Sequence, residues 1–228
     1  MRIARNLAAA AAGYFALLML LTQHPSRTVA LRNAHQLVAV ERGTGLASVE
    51  SLLDRGWLGA WGDGLYVGLH FGVTVLVVVG LVVARPAVWR DARWLLAGVL
   101  VASAVVFWLL PVAPPWMLGR PDGTPWSHPA GAASGLDVYA AMPSLHVACA
   151  SWVAWSLRRS GVGRAVWLYP LFVSVVVVST GNHYVLDAVA GWLLLQLAVV
   201  AVVGVRSLHR GPTGAAMRGE VPAHGYGC

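Results

Sequence analysis

The sequence predicts an all-α polytopic membrane protein, a bundle of six transmembrane helices with a polar site at its outer face. Three observations lead there. Of 228 residues, 58% are hydrophobic and only 11% are charged, less than half the share of about 25% usual in soluble domains. The apolar residues gather in six runs, roughly 6–22, 64–84, 94–112, 144–157, 165–181 and 185–205, and a membrane span takes about 20 residues. All sixteen cations are arginine, and they punctuate the runs. A nucleic-acid partner calls for a basic stripe on a soluble face, so this distribution points to the bilayer as partner, with no nucleic acid.

Taken in order, residues 1–23 read as the first transmembrane helix. Arg2 and Arg5 precede the run as they would in a signal peptide, but Leu21-Thr22-Gln23-His24 offers no small-residue cleavage site. Residues 24–63 form an outer segment whose amphipathic stretches, near 29–42 and 46–58, lie on the membrane surface. Residues 64–205 hold the other five helices as one membrane core. Its fourth run is short, and Ala140, Ala141 and Met142 extend it. The connection 113–140 is rich in Pro and Gly, with Ala113-Pro114-Pro115-Trp116 and Arg120-Pro121-Asp122-Gly123; loops this long are often functional. Residues 206–228 are Gly-rich and polar and read as a disordered cytoplasmic tail. No internal repeat is present.

Arginine positions set the orientation. Arg2, Arg5, Arg85, Arg90, Arg93, Arg158, Arg159, Arg164, Arg206, Arg210 and Arg218 lie on one set of connections, opposed only by Asp91 and Glu220. The other connections hold Arg27, Arg32, Arg42, Arg55 and Arg120 with Glu41, Glu50, Asp54, Asp63, Asp122 and Asp137. The positive-inside rule then places both termini in the cytoplasm, and an even number of spans agrees. The plasma membrane is the expected location, with the polar site facing outward.

Ionisable groups inside spans are costly and usually functional, and here they are few. Tyr66 and His70 open the second run, His146 the fourth, and His183 and Asp187 the sixth. On the arginine topology all five meet at the outer face. His183 and Asp187 are spaced i, i+4 and share a helix face; the aspartate can hold one ring nitrogen as a donor and leave the other basic, or the pair can simply close a helix end. Met142-Pro143-Ser144-Leu145-His146 places Pro143 in a first helical turn, and Ser144 supplies a hydroxyl. Gly181-Asn182 precedes the sixth run, so two helix N-termini are expected to offer amides to an anion. His146 alone reads equally as a capping or core histidine. Tyr66 and His70 fit a headgroup contact, or an interfacial aromatic and an interhelical hydrogen bond. Two cysteines, Cys149 and Cys228, form no CxxC or zinc spacing, so neither metal nor cofactor is signalled.

Ala140-Ala141-Met142-Pro143-Ser144-Leu145-His146 and Thr180-Gly181-Asn182-His183-Tyr184-Val185-Leu186-Asp187 resemble the second and third signature motifs of the type-2 phosphatidic acid phosphatase superfamily. The Leu of PSLH, the GNHY run, the Tyr66–His70 pair and Ala113-Pro114-Pro115 resemble its inositolphosphorylceramide synthase-like branch. The resemblance covers roughly residues 60–205. It implies a membrane-embedded lipid phosphatase or phosphotransferase. His183 would attack phosphorus to form a phosphohistidine, Asp187 would orient His183, and His146 would serve as acid and then base, without a metal. Ser144, Arg120, Asn182, Tyr184, Tyr66 and His70 would bind the phosphate or the rest of the substrate. Partners would be a lipid phosphate and, for transfer, a polyol or sugar acceptor. The chain departs from the family pattern where Ala113 replaces an expected Lys and Trp116 and Val177 replace expected Arg, which leaves Arg120 as the main candidate cation and Arg55 a distant second. The contrasting expectation is a catalytically weak or inactive lipid-phosphate-binding relative.

Overall fold

The computed structural model describes residues 26–53, 61–68, 72–119 and 139–209. The expected first span, His70, Arg120, Arg55 and the tail beyond 209 lie outside them. Among these residues nine α-helices follow in order: α1 (Arg27–Thr44), α2 (Leu46–Leu53), α3 (Trp61–Gly68), α4 (Thr74–Ala84), α5 (Pro86–Leu109), α6 (Pro115–Leu118), α7 (Leu145–Arg159), α8 (Leu168–Ser179, led in by a 3-10 turn at Arg164–Trp167) and α9 (Val185–His209). Among the described residues there is no strand; one parallel bridge joins Val112 to Ala140.

Helix bounds depart from the apolar runs where polar residues can snorkel. The third run continues back to Pro86, which occupies the first helical turn, where its missing N–H costs nothing. Arg93 lies in that added stretch with its guanidinium 5.3 Å from the centre of the Trp94 ring, an apolar stem with a charged tip. The second run is carried by two helices, α3 and α4. Among the described residues two helices are long and apolar enough to cross a membrane, Pro86–Leu109 and Val185–Val202. Their exposed faces carry Val101, Val105, Trp108, Leu193, Leu197 and Val200, and α4 adds Leu76 and Val83. Contiguous apolar faces of this extent are foreign to soluble monomers.

Helix α7 is the axis of the bundle. From Val147 to Ala154 every residue is buried, so it is apolar all round, as a central helix must be. Alanines at 92 and 148 let it approach α5 and α9 closely, with Trp152, Leu95, Val99 and Leu195 filling the space between. Trp152 is fully buried and donates its indole N–H to the Ala92 carbonyl at 2.8 Å, which satisfies the one polar atom on that ring. Arg158 and Arg159 close the last turn of α7. An open cleft at that end is lined by Ala87, Val88, Arg90, Asp91, Trp155 and Arg159. The motif histidine His146 starts the other end. Fifteen helical residues separate the two ends by roughly 22 Å at 1.5 Å per residue.

Helix α1 docks on that second end. Gly45, at φ 80°, ends it in a left-handed turn that a side chain would strain. Ala30 and Ala34 pack with Val112, Ala113, Ala141 and Tyr184. The Ala113 N–H donates to the Ala30 carbonyl at 3.2 Å, and Asn33 Nδ2 donates to the Pro111 carbonyl at 2.8 Å. The segment expected to lie on the membrane surface clasps the extended pieces beside the histidines.

Candidate active site

Three chain segments meet at the N-terminal ends of α7 and α9. The Tyr139 carbonyl accepts from the Val112 N–H at 2.8 Å, and the Val112 carbonyl accepts from the Ala141 N–H at 3.3 Å. The Trp116 N–H donates to the Gly181 carbonyl at 3.1 Å. Gly181 itself has φ 68°, a conformation open to glycine, and this turn swings the chain from α8 into His183. The Ser144 N–H then donates to the Asp187 carbonyl at 2.9 Å, joining the cap of α7 to the first turn of α9.

His183 is almost completely buried. Its Nδ1 lies 2.8 Å from the Ala141 carbonyl oxygen and 3.5 Å from Asp187 Oδ2. A carbonyl can only accept, so the proton resides on Nδ1 and the Nε2 lone pair is left basic. Nε2 is buried without a hydrogen-bond partner among the described residues. Asp187 Oδ2 accepts its short bond from the Tyr184 N–H at 2.9 Å. The expected His–Asp pair is thus present, but the backbone of Ala141 makes the closer contact and sets the tautomer. Asp187 adds negative charge and fixes the turn.

His146 lies edge-on to His183 with ring centres 5.6 Å apart. Tyr66 of α3 stacks on His146 at 3.9 Å and tilts toward His183 at 6.3 Å. Tyr66 therefore stands beside both histidines, its ring stacked on that of His146. The three aromatic side chains come from α3, α7 and the turn before α9, which is the convergence expected from the sequence. The open cleft at the arginine end lies far from them, at the opposite end of α7.

The other expected binding residues face the protein. Ser144 is fully buried, and its Oγ accepts from the Val147 N–H at 3.4 Å, an N-cap bond. Pro143 precedes that cap and does not enter the first turn. Asn182 Nδ2 donates to Thr180 Oγ1 at 3.0 Å. Tyr184 packs against Ala30 and Ala113 and donates its hydroxyl to the Ala113 carbonyl at 3.1 Å; burial raises its pKa well above the usual phenol value. His70 and Arg120 lie outside the described residues.

The two helix N-termini expected to offer amides to an anion have already spent several of them. Ser144 takes the Val147 N–H, Asp187 takes that of Tyr184, and Glu41 of α1 takes that of Leu186 at 2.7 Å. A capping side chain supplies the acceptor that a phosphate oxygen would otherwise be.

Three contributors carried no motif signal. The Ala141 carbonyl is backbone, and any residue supplies it. Gly191 lies one helical turn beyond Asp187; a Cβ there would stand 2.5 Å from the Ser144 carbonyl oxygen and 3.1 Å from Val147 Cβ. Glu41 lies on the same alanine-marked face of α1 as Ala30 and Ala34, and an acid on an otherwise apolar face was the available clue.

Comparison with curated proteins and with solved structures returned no match. A family model does match, over residues 35–201, from within α1 into α9, and it takes in both histidine motifs. That stretch is most of the chain, and the chain belongs to the PAP2 superfamily.

Proposed function

We propose that this protein transfers the phosphoryl group of a lipid phosphate ester through a phosphohistidine formed on His183. Membership in the PAP2 superfamily supports phosphatase-type chemistry on lipid phosphates. The observation that carries the finer reading is the state of His183: Nδ1 held at 2.8 Å by a carbonyl that can only accept, and Nε2 unbonded with His146 5.6 Å away.

In the first step the Nε2 lone pair attacks phosphorus and a P–N bond forms. The P–O bond to the lipid alcohol breaks, and protonated His146 gives its proton to the departing oxygen. The phosphorylated ring keeps its Nδ1 proton and is cationic, so the Asp187 charge 3.5 Å away stabilises it. In the second step neutral His146 takes a proton from the incoming hydroxyl, whose oxygen attacks phosphorus, and the P–N bond breaks with its electron pair returning to Nε2. Water as acceptor makes the enzyme a phosphatase; a polyol or sugar makes it a phosphotransferase. The PSLH and GNHY runs support the inositolphosphorylceramide synthase-like branch and hence transfer. The arginine distribution supports six spans, cytoplasmic termini and a site at the outer leaflet.

A catalytically weak or inactive lipid-phosphate binder is the second reading, and one observation favours it. Ala113 and Val177, standing where the family places cations, are completely buried in apolar clusters.

Turnover of purified protein on a lipid phosphate and on p-nitrophenyl phosphate, with and without a polyol, separates the readings. His183→Ala should abolish turnover on both substrates. His146→Ala should be severe on the alkyl ester and milder on the aryl ester, whose leaving group departs without a proton. Equal losses on both remove the acid assignment, and substantial turnover by His183→Ala removes the mechanism.

A further inference from the structure

The scheme above gives Tyr66 no step. It stands on the short helix α3, yet its ring lies on the ring of His146, with centres 3.9 Å apart and planes 28° from parallel. The same ring tilts toward His183 at 6.3 Å. Tyr66 is itself well anchored. It packs against a buried cluster that includes Val147 and Ala150 of α7, Val173 and Val177 of α8, and Ala188 of α9. A ring set against three helices is a rigid platform.

His146 is the group that gains from such a platform. It is the second residue of α7 and only half-buried, whereas His183 is almost completely buried with Nδ1 at the Ala141 carbonyl. A half-buried imidazole at a helix end can turn about two side-chain torsions, and few orientations aim a ring N–H at a departing oxygen. An acid must come within hydrogen-bond reach of the oxygen it protonates, and a misplacement near 1 Å costs on the order of 10²-fold. Tyr66 covers one face of the His146 ring, and His183 meets that ring edge-on at 5.6 Å. A stacked contact resists rotation of the ring out of its plane. It also keeps the tyrosine off the ring edge, where both nitrogens lie.

We propose that Tyr66 is a positioning residue for the leaving-group acid: its ring holds the imidazole of His146 in the plane from which the lipid alkoxide is protonated. The proposal rests on the reading of His146 as acid. The working part of Tyr66 is its aromatic ring and not its hydroxyl, so Tyr66 neither gives nor takes a proton. Packing of α3 thereby becomes a condition for cleaving esters with poor leaving groups, although α3 carries none of the reacting atoms.

The test compares the full-length parent with Tyr66→Leu, Tyr66→Phe, His146→Ala and the double variant Tyr66→Leu/His146→Ala in lipid nanodiscs. The measure is kcat/KM on a lipid phosphate and on p-nitrophenyl phosphate, which reports formation of the phosphohistidine, where His146 acts only as acid. Tyr66→Leu should lower it about 10–10²-fold on the lipid phosphate and no more than about threefold on the aryl ester, which departs without a proton. In the His146→Ala background the same substitution should cost less than about twofold, because its target is gone. Tyr66→Phe keeps the ring and should recover most of the loss. Equal losses on the two esters overturn the proposal, as does a full further loss in the double variant or a Tyr66→Phe protein as impaired as Tyr66→Leu. NMR reads the stack directly: the His146 ring protons, assigned by their absence in His146→Ala, should move downfield in Tyr66→Leu, and unmoved resonances overturn the proposal. If Tyr66→Leu does not fold, the parent and Tyr66→Phe carry the test. His146 ring protons upfield of free histidine in both, with most of the parent's kcat/KM kept, then support the proposal; unshielded protons or a large loss overturn it. Failure of the functional reading shows differently, as a parent inert on lipid phosphates, an active His183→Ala, or a His146→Ala that loses equally on both esters, and it takes the proposal with it.

Discussion

Gly191→Ala tests whether the two catalytic helices are as close as the site requires. The added methyl would stand 2.5 Å from the Ser144 carbonyl oxygen, and ordinary contact begins near 3.4 Å, so the α7 cap must recede by about 0.9 Å (3.4 − 2.5). The obstacle is backbone, which no rotamer change relieves. Receding stretches the 2.9 Å bond from the Ser144 N–H to the Asp187 carbonyl and carries His146, two residues on, away from His183. For stability the effects partly cancel: alanine gains about 1 kcal/mol of helix propensity over glycine, against roughly 1–3 kcal/mol for overpacking. For catalysis nothing cancels, and a misplacement near 1 Å costs on the order of 10²-fold. Activity should therefore fall far more than thermal stability. The assay pairs kcat/KM on a lipid phosphate with thermal unfolding in the same detergent. Gly98→Ala is the control, since its Cβ would meet only Ala198 Cβ at 3.9 Å; it should match the parent in turnover and gain up to about 1 kcal/mol in stability from helix propensity. A Gly191→Ala protein with parent-like turnover and stability would refute the close approach and the geometry built on it.

Asp187→Asn should reduce turnover by about 10²-fold, the low end of the range for orienting groups, because the Ala141 carbonyl keeps the Nδ1 proton in place; a loss near 10⁴-fold would mean the tautomer depends on Asp187. Tyr184→Phe should lower stability by about 1 kcal/mol, the usual worth of a buried hydrogen bond, while leaving kcat/KM unchanged. A substrate-binding role for that hydroxyl would instead show as a raised KM. In a background lacking Cys149 and Cys228, a cysteine placed within 121–130 should react with an impermeant reagent from outside and one within 160–163 should not. The reverse pattern would put the histidines in the cytoplasm.

The sequence made the proposed reacting groups legible and left their supports hidden, for a physical reason. His146, His183, Asp187 and Tyr66 stand out because ionisable and hydroxyl-bearing side chains are scarce in apolar runs, and the structure brings all four together. Helix bounds were less legible: Pro86–Arg93 is polar enough to look like loop, yet it is the first part of α5, with Trp152 bonded to the Ala92 carbonyl. Ser144, Asn182 and Tyr184 carry the right atoms for phosphate, but they use those atoms on the cap, the turn and the Ala113 carbonyl. Side-chain chemistry in a sequence shows what an atom is able to bind, and not which partner is nearest.

The same limit explains the amides. Two helix N-termini beside a phosphate site suggest an anion cradle on dipole grounds alone. Here carboxylates and a serine occupy part of that cradle. A carboxylate capping α9 offsets the positive end of its dipole. Amides given to carboxylates are not free to hold phosphate, so the cost falls on ground-state phosphate binding. The Asp187 carboxylate, 3.5 Å from the His183 ring, matters most once that ring is phosphorylated and cationic. On this logic Asp187 favours the intermediate over bound substrate, which is the direction in which an interaction raises kcat instead of lowering KM.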